Sequence, residues 1–336
     1  MKKITFLRLK PSQFGGAENY LVRLSSELKV QGISHSVKNS TAPKFLSSWI
    51  KAIWFNIEVC FSKKDKFYFS LERVTCSDIY RAGDGVHKEF LKTKKRKFNP
   101  LNLVYLFLEK RCFKNSKLII ANSKMIKNQI IKAYDIEPNK IKVIYNGIEL
   151  KEKTAFEDIK KEFKLKDEKI ILYVGSGFER KGVKEALEVI SKLKTKVKFI
   201  VIGKEKKINY YKNLANSLHI DAIFTGVRSD VDKFYSLADI FLFPTHYEPF
   251  SNVILEAMSF ECAVFTTKQN GASEILEKEF VMKNPKDSNI ANSIDELLNN
   301  PKKLEAVKKR NLEIVKNFTI EKNAKETMET INEYLH

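Results

Sequence analysis

Short apolar runs alternate with stretches of helical period along almost the whole chain, and that alternation predicts a repeating strand–helix order. Ile4 to Leu9, Phe67 to Leu71, Leu118 to Asn122 and Lys142 to Tyr145 read as strands, as do Ile170 to Val174, Phe199 to Ile202, Ile223 to Thr225, Ile240 to Phe243 and Ala263 to Thr266. Ile240 to Phe243 has no polar residue, the mark of a strand covered on both faces in a parallel sheet. Helices fall between the strands. Leu21, Leu24 and Leu28 share one face, Ser123 is placed to cap a helix running to Tyr134, and Val253, Ile254, Ala257 and Met258 lie at helical spacing. Lys44 to Phe61, KFLSSWIKAIWFNIEVCF, has helical period and enough Trp and Phe to read as a core helix. Residues 70–73 and 78–87 read as two loops, and the last fifty or so residues as amphipathic helices ending in one from Phe318 to Leu335. The class expected from this order is α/β with parallel sheets.

At 336 residues and 43% apolar content the chain is long enough for two domains, each with its own core. The turn Asn146-Gly147 leaves the last strand of the first half, which places the boundary near Leu150. Charge divides unevenly across it. Of the net +20, residues 1–150 carry 29 Lys+Arg against 12 Asp+Glu, whereas 151–336 carry 32 against 29. The first half therefore faces something anionic, and nucleic acid, an acidic membrane surface or an anionic acceptor all fit. No helix-turn-helix, RRM or zinc module is present, so a nucleic-acid reading rests on charge alone. The four cysteines, Cys60, Cys76, Cys112 and Cys262, show no metal-ligand or redox spacing, and the simplest expectation is a reduced, cytosolic setting. The opening MKKITFLRLK is basic like a signal peptide, but Arg8 and Lys10 interrupt its apolar core. No uncharged apolar run approaches the ~20 residues of a membrane span.

Candidate chemistry gathers in loops that follow strands, where open α/β sheets bind ligands beside helix N-termini. Pro244 ends the strand Ile240 to Phe243; Glu248 stands in the next loop, and Glu256 lies eight residues on, inside the helix. Other glutamate pairs share that spacing, Glu149/Glu157 and Glu305/Glu313 among them, yet only this one follows a buried strand. Gly175-Ser-Gly-Phe-Glu-Arg-Lys-Gly182 forms a second such loop. Arg180 and Lys181 there suit two phosphates, one as a planar fork and the other as a point charge, against the alternative of a solvated basic pair. Gly15 and Gly16 after the first strand let backbone approach a ligand, while the dinucleotide pattern Gly-x-Gly-x-x-Gly is absent. Arg228 sits in a strand-to-helix loop. Asp84 and His87 could bind the hydroxyls of a ligand, or be a turn aspartate and a helix-start histidine. Lys92 to Lys117 joins a five-cation cluster to an apolar helix, and reads either as a reversible membrane contact or as a core helix with a solvated basic loop.

The block Pro244-Thr-His-Tyr-Glu-Pro-Phe-Ser-Asn-Val-Ile-Leu-Glu-Ala257 closely resembles the donor-site signature of family-four retaining glycosyltransferases of the GT-B fold. Gly-Gly-Ala-Glu18, Val-Ile-Tyr-Asn-Gly-Ile148 and Gly175 to Gly182 resemble other stretches of that family. Ser70 to Arg73 and Asp78 to His87 resemble glucosyltransferases of the lipopolysaccharide core. The resemblance implies two Rossmann-like parallel-sheet domains facing a central cleft: an acceptor domain (1–150), a donor domain (151–317), and a terminal helix (318–336) packing back on the first. It also implies metal-independent, retaining transfer of a hexose from a nucleotide sugar, UDP-linked, to a sugar hydroxyl of a lipopolysaccharide or lipooligosaccharide core. The expected setting is the cytoplasmic side of the plasma membrane, in peripheral contact with it, with no cofactor beyond the donor. Glu248, Arg180, Lys181, Asp84 and His87 take the catalytic roles; Gly15, Gly16, Gly175, Arg180, Lys181, Arg228, Glu248, Phe250, Ser251, Asn252 and Glu256 hold the donor. Ser251 departs from the family, which has glycine there; its N–H is expected to stay available to a phosphate. The rival readings are a basic nucleic-acid-binding protein and a same-fold enzyme acting on a soluble acceptor.

Overall fold

The computed structural model describes residues 4–9, 16–30, 32–94 and 99–335, with backbone alone at 16–19 and 335. Among these residues the strands form two six-stranded sheets, parallel throughout. The chain divides into two compact units, one of 1–146 with 320–336 and the other of 147–319.

The first unit runs β1 (Ile4–Arg8), α1 (Gly16–Val30), β2 (His35–Asn39), α2 (Ser48–Phe61), β3 (Phe67–Ser70), β4 (Ile79–Ala82), α3 (His87–Phe90), α4 (Pro100–Asn115), β5 (Leu118–Ala121), α5 (Lys124–Tyr134) and β6 (Ile141–Val143). Its sheet order is β2-β1-β3-β4-β5-β6. Side chains alternate across the sheet as strand geometry requires. Ile4, Phe6, Phe67 and Phe69 face a core with Leu21, Leu24 and Leu28 of α1, while Leu7 and Tyr68 face Phe55 and Val59 of α2. Ser123 caps α5, its Oγ accepting from the Ile126 N–H at 3.2 Å, as its sequence position predicts.

The second unit runs α6 (Glu157–Glu162), β7 (Lys169–Val174), α7 (Phe178–Lys181), α8 (Val183–Ile190), β8 (Val197–Ile202), α9 (Ile208–Ser217), β9 (Ala222–Gly226), α10 (Val231–Leu237), β10 (Ile240–Phe243), α11 (Asn252–Ser259), β11 (Ala263–Thr267), β12 (Val281–Met282), α12 (Ile290–Leu298) and α13 (Pro301–Val315). Its sheet order is β12-β11-β10-β7-β8-β9. Ile240 to Phe243 are wholly buried, as an uninterrupted apolar strand beside β7 and β11 should be. The chain then returns to the first unit as α14 (Ile320–Leu335), which adds Ala324, Met328 and Ile331 to the core beneath α1.

Three expectations need correction. Residues 78–87 are not a continuous loop. Ile79 to Ala82 form β4, too short for periodicity to reveal, and pair with Leu118 to Ala121 of β5. The Trp-rich helix α2 is not a core helix all round: Ala52, Phe55 and Val59 are buried, but Trp49, Ile53, Trp54 and Ile57 are exposed. Cys60 and Cys76, unremarkable by spacing, form a disulfide with a Cα–Cα distance of 5.6 Å, because α2 packs over β3 and its end meets the loop after that strand. Cys112 and Cys262 are buried free thiols.

Ile331 is fully buried among residues of α1, β1 and β3. Ile331→Ala should cost about 2–5 kcal/mol. Hydrogen exchange in β1 and β3 should then speed up by roughly 30-fold or more; unchanged protection would show that α14 is not part of this core.

Candidate active site

In the second unit β7 lies between β8 and β10, so the chain leaves it in opposite directions and the loops after β7 and β10 meet at a switch point of the sheet. Steric fit holds these two loops together. Gly182 has φ +82°, and a Cβ there would fall 1.9 Å from the Pro244 carbonyl oxygen. The Arg180 carbonyl accepts from the His246 N–H at 2.9 Å and from Thr245 Oγ1 at 3.2 Å. Residues 178–181, expected as loop, are the helical turn α7, set between the left-handed Gly177 and Gly182.

This seam brings Arg180, Lys181 and Glu248 together. Arg180 Nη1 donates to Glu248 Oε2 at 2.7 Å and to the Tyr247 carbonyl at 2.8 Å, and Lys181 Nζ is 3.9 Å from the same carboxylate oxygen. Burial holds the Lys181 ammonium below its ordinary 10.5, against the opposing pull of Glu248. Its Nζ lies 5.5 Å from the centroid of the Phe243 ring, which stacks on Tyr173, and a Cβ on Gly175 would come within 3.1 Å of Lys181 Cδ. Glu248 is fixed in turn by main chain: its N–H donates to Gln269 O, and its carbonyl accepts from the Gly271 N–H, both at 2.9 Å.

Glu256 projects from α11 and accepts from the Tyr235 hydroxyl at 3.2 Å. Burial, with the Glu256 charge beside it, raises the Tyr235 pKa, so the phenol stays a donor. Glu256 also acts electrostatically on Lys181. Phe250 and Ser251 are buried before α11, and Asn252 begins it half-buried. The Ser251 N–H, expected to be available to a phosphate, donates instead to Asn270 Oδ1 at 3.3 Å.

Other expected residues lie elsewhere. Arg228 spends its guanidinium on Glu162, at 2.8 and 2.9 Å, and on Asp230, at 2.9 and 2.8 Å. Gly16 opens α1, and Gly15 lies outside the described residues, as do Lys95, Arg96 and Lys97 of the basic cluster. In the first unit Asp84 is exposed, with an oxygen 3.9 Å from Arg73 Nη1. His87 is buried; its Nε2 meets Asn102 Oδ1 at 3.2 Å, and burial together with Arg73 lowers its pKa, favouring the neutral ring.

Sequence reasoning missed three supports. Asn270 is fully buried and its Oδ1 also accepts from the Ala272 N–H; the only cue was its Asn-Gly turn after a strand. Glu185 Oε1 receives His246 Nε2 at 2.9 Å. Glu109, fully buried, accepts from Arg73 Nε at 3.0 Å, the His87 N–H at 2.7 Å and the Tyr134 hydroxyl at 2.6 Å. A lone acid amid the apolar residues of α4 was its cue.

Comparison with known proteins agrees with the fold. Residues 155–313 match the family model for glycosyl transferases group 1, and residues 80–152 that for glycosyltransferase family 4. The chain belongs to the family-four glycosyltransferases, and its paired Rossmann-like units are the GT-B architecture. It is 31% identical over 188 residues to a Campylobacter jejuni N-acetylgalactosamine-N,N'-diacetylbacillosaminyl-diphospho-undecaprenol 4-alpha-N-acetylgalactosaminyltransferase, covering 54% of this chain and 49% of that one. It is 27% identical over 210 residues to the Escherichia coli lipopolysaccharide glucosyltransferase WaaG, covering 56% and 55%. The chain thus spans about half the length of these relatives. A crystal structure of WaaG matches with a TM-score of 0.79 at 19% identity over 96% of this chain and 98% of that one. Anabaena HepE in complex with UDP and glucose matches at 0.75 and 18% over 99% and 100%.

Two substitutions test the site. Gly182→Ala should destabilise the second unit by about 1–3 kcal/mol, because the Cβ meets backbone and not a movable side chain. Lys181→Met should leave the thermal midpoint near neutral pH unchanged or raised, since it removes a desolvated ammonium. Because the folded pKa of Lys181 lies below 10.5, the stability difference should be flat at lower pH. It should then shift in favour of the wild type as pH rises from the folded pKa to 10.5. A midpoint difference that falls with rising pH would contradict the burial of Lys181.

Proposed function

We propose that the chain transfers a hexose from a UDP-linked sugar to a hydroxyl of an anionic, lipid-linked saccharide of the lipopolysaccharide or lipooligosaccharide core. The transfer retains anomeric configuration and uses no metal. The observation that carries this reading is the convergence of Arg180 and Lys181 on one carboxylate at the sheet's switch point. Two cations face a single Glu248, and the positive charge left over is what a departing diphosphate supplies in the opposite sign. Supporting it, the HepE structures carry UDP or UDP-glucose, and the Campylobacter relative is named for a diphospho-undecaprenol acceptor.

In this mechanism Glu256 accepts from the ribose hydroxyls, oriented by Tyr235. Arg180 and Lys181 take up charge as the bond between the anomeric carbon and the phosphate oxygen breaks. That phosphate oxygen receives the acceptor's proton while the acceptor oxygen bonds to the anomeric carbon on the same face. Glu248 addresses the donor sugar, with Gly175, Phe250, Ser251 and Asn252 shaping the pocket. Arg228 makes an outlying donor contact after exchanging one of its carboxylates. Asp84 and His87 meet the acceptor, His87 once its ring leaves Asn102. The enzyme works on the cytoplasmic side of the plasma membrane, in reversible contact with its anionic surface. Among the described residues no helix is long and apolar enough to cross a membrane.

Calorimetry with UDP and a screen of UDP-sugar hydrolysis should identify the donor without the acceptor. Lys181→Ala and Glu256→Gln should each weaken UDP affinity by about tenfold or more, the loss expected for hydrogen bonds involving a charged group. Equal affinity in both variants would refute the site. Turnover abolished by a chelator would refute the metal-free step.

A further inference from the structure

The helix α2 has no polar face turned to water. At 100° per residue, Trp49, Ile53, Ile57, Phe61 and Trp54 cover an arc of about 140°, and all are exposed, from 36% at Ile53 to 86% at Phe61. The opposite arc, Lys51, Ala52, Phe55 and Val59, is buried against the sheet. The remaining polar side chains are engaged at the margins. Asn56 Oδ1 accepts from the Thr75 N–H at 2.7 Å, Glu58 lies 3.6 Å from Lys38 and accepts from the Thr41 N–H, and Lys51 Nζ donates to the Lys44 carbonyl. A soluble helix puts its polar face outward. An exposed apolar arc of this size marks a contact surface.

Charge around the arc selects the occupant. Lys44 precedes the helix, and Lys64 and Lys66 follow it, all exposed, with Asp65 between the last two. The neighbouring α4 repeats the pattern: Leu103 and Phe107 are exposed, followed by exposed Lys110, Arg111 and Lys114, with the Arg111 guanidinium 4.6 Å from the Phe107 ring centroid. A second copy would set like charges against each other. An anionic bilayer takes tryptophan at the headgroup level, aliphatic side chains below it and lysine around the rim.

We propose that the exposed face of α2 is a membrane-contact surface that lies in the interface of an anionic bilayer, through Trp49, Ile53, Trp54, Ile57 and Phe61. This rests on the membrane setting given above and centres the contact on α2, with the exposed residues of α4, inside the basic segment 92–117, at its margin.

The chain's two tryptophans both lie on this face, so tryptophan emission, excited beyond the tyrosine band, reports on it alone. With the full chain and mixed phosphatidylglycerol–phosphatidylcholine vesicles, emission should shift to the blue and be quenched by brominated acyl chains; pure phosphatidylcholine should give a much weaker response. Lys64→Ala and Lys66→Ala should each lower partitioning by about fivefold. Ile53→Glu with Ile57→Glu should abolish vesicle flotation while UDP-sugar hydrolysis and far-UV circular dichroism stay at wild-type levels. Flotation with unquenched tryptophan, or flotation of the Ile53→Glu/Ile57→Glu variant, would overturn the assignment to α2 and leave the membrane setting standing. No flotation of the wild type would overturn both. A blue shift that grows with protein concentration in the absence of lipid, together with dimer sedimentation, would give the face to a second copy instead.

Discussion

The hydrogen atom that serves as the side chain of Gly182 lets the turn after β7 lie against the end of β10. A methyl group there would overlap the Pro244 carbonyl. With that approach allowed, the Arg180 carbonyl can receive Thr245 and His246, and the Arg180 side chain can reach the carboxylate of Glu248. The cationic turn and the acidic loop are thus one rigid piece, although sixty-odd residues separate them in sequence. Buried strands beneath them, with Tyr173 and Phe243 stacked, supply a floor that does not yield.

Electrostatics follow from that geometry. Burial disfavours the charged form of Lys181, and Glu248 offsets part of the penalty while also binding Arg180. The group therefore holds a surplus of positive charge in a poorly hydrated place, a costly state for the isolated protein and a favourable one for an anion. Glu256, held by Tyr235 about one turn into α11, keeps a carboxylate at the edge of the same field. A polar ligand then meets fixed donors and acceptors and does not need to order them.

The first unit solves a different problem. Its excess charge is spread over surface lysines, and the fully buried acid Glu109 is spent on structure. It gathers Arg73, the His87 amide and Tyr134 under the segment that carries Asp84 and His87. Apolar residues that the sheet does not cover face outward on α2. The two units thus divide the work: one concentrates charge at a point, the other distributes it over a surface.

By itself the sequence determined the α/β class, most strands of both sheets, and the placing of Arg180, Lys181 and Glu248 in loops that follow strands, because period, glycine and proline are local signals that survive without contacts. That the three converge was left to the tertiary structure. Ile240 to Phe243 could be placed to the residue, since a four-residue apolar run ended by Pro244 has the length and the punctuation of a strand covered on both faces. What the tertiary structure decided depends on partners distant in sequence. β4 exists because β3 and β5 flank it, and Cys60 meets Cys76 because α2 packs over β3. Arg228 is claimed by Glu162 across 66 residues, and the Ser251 amide by Asn270. The direction of α2 is the plainest case: its period was legible, but a helix with apolar residues all round gives no sign of which side the sheet will cover.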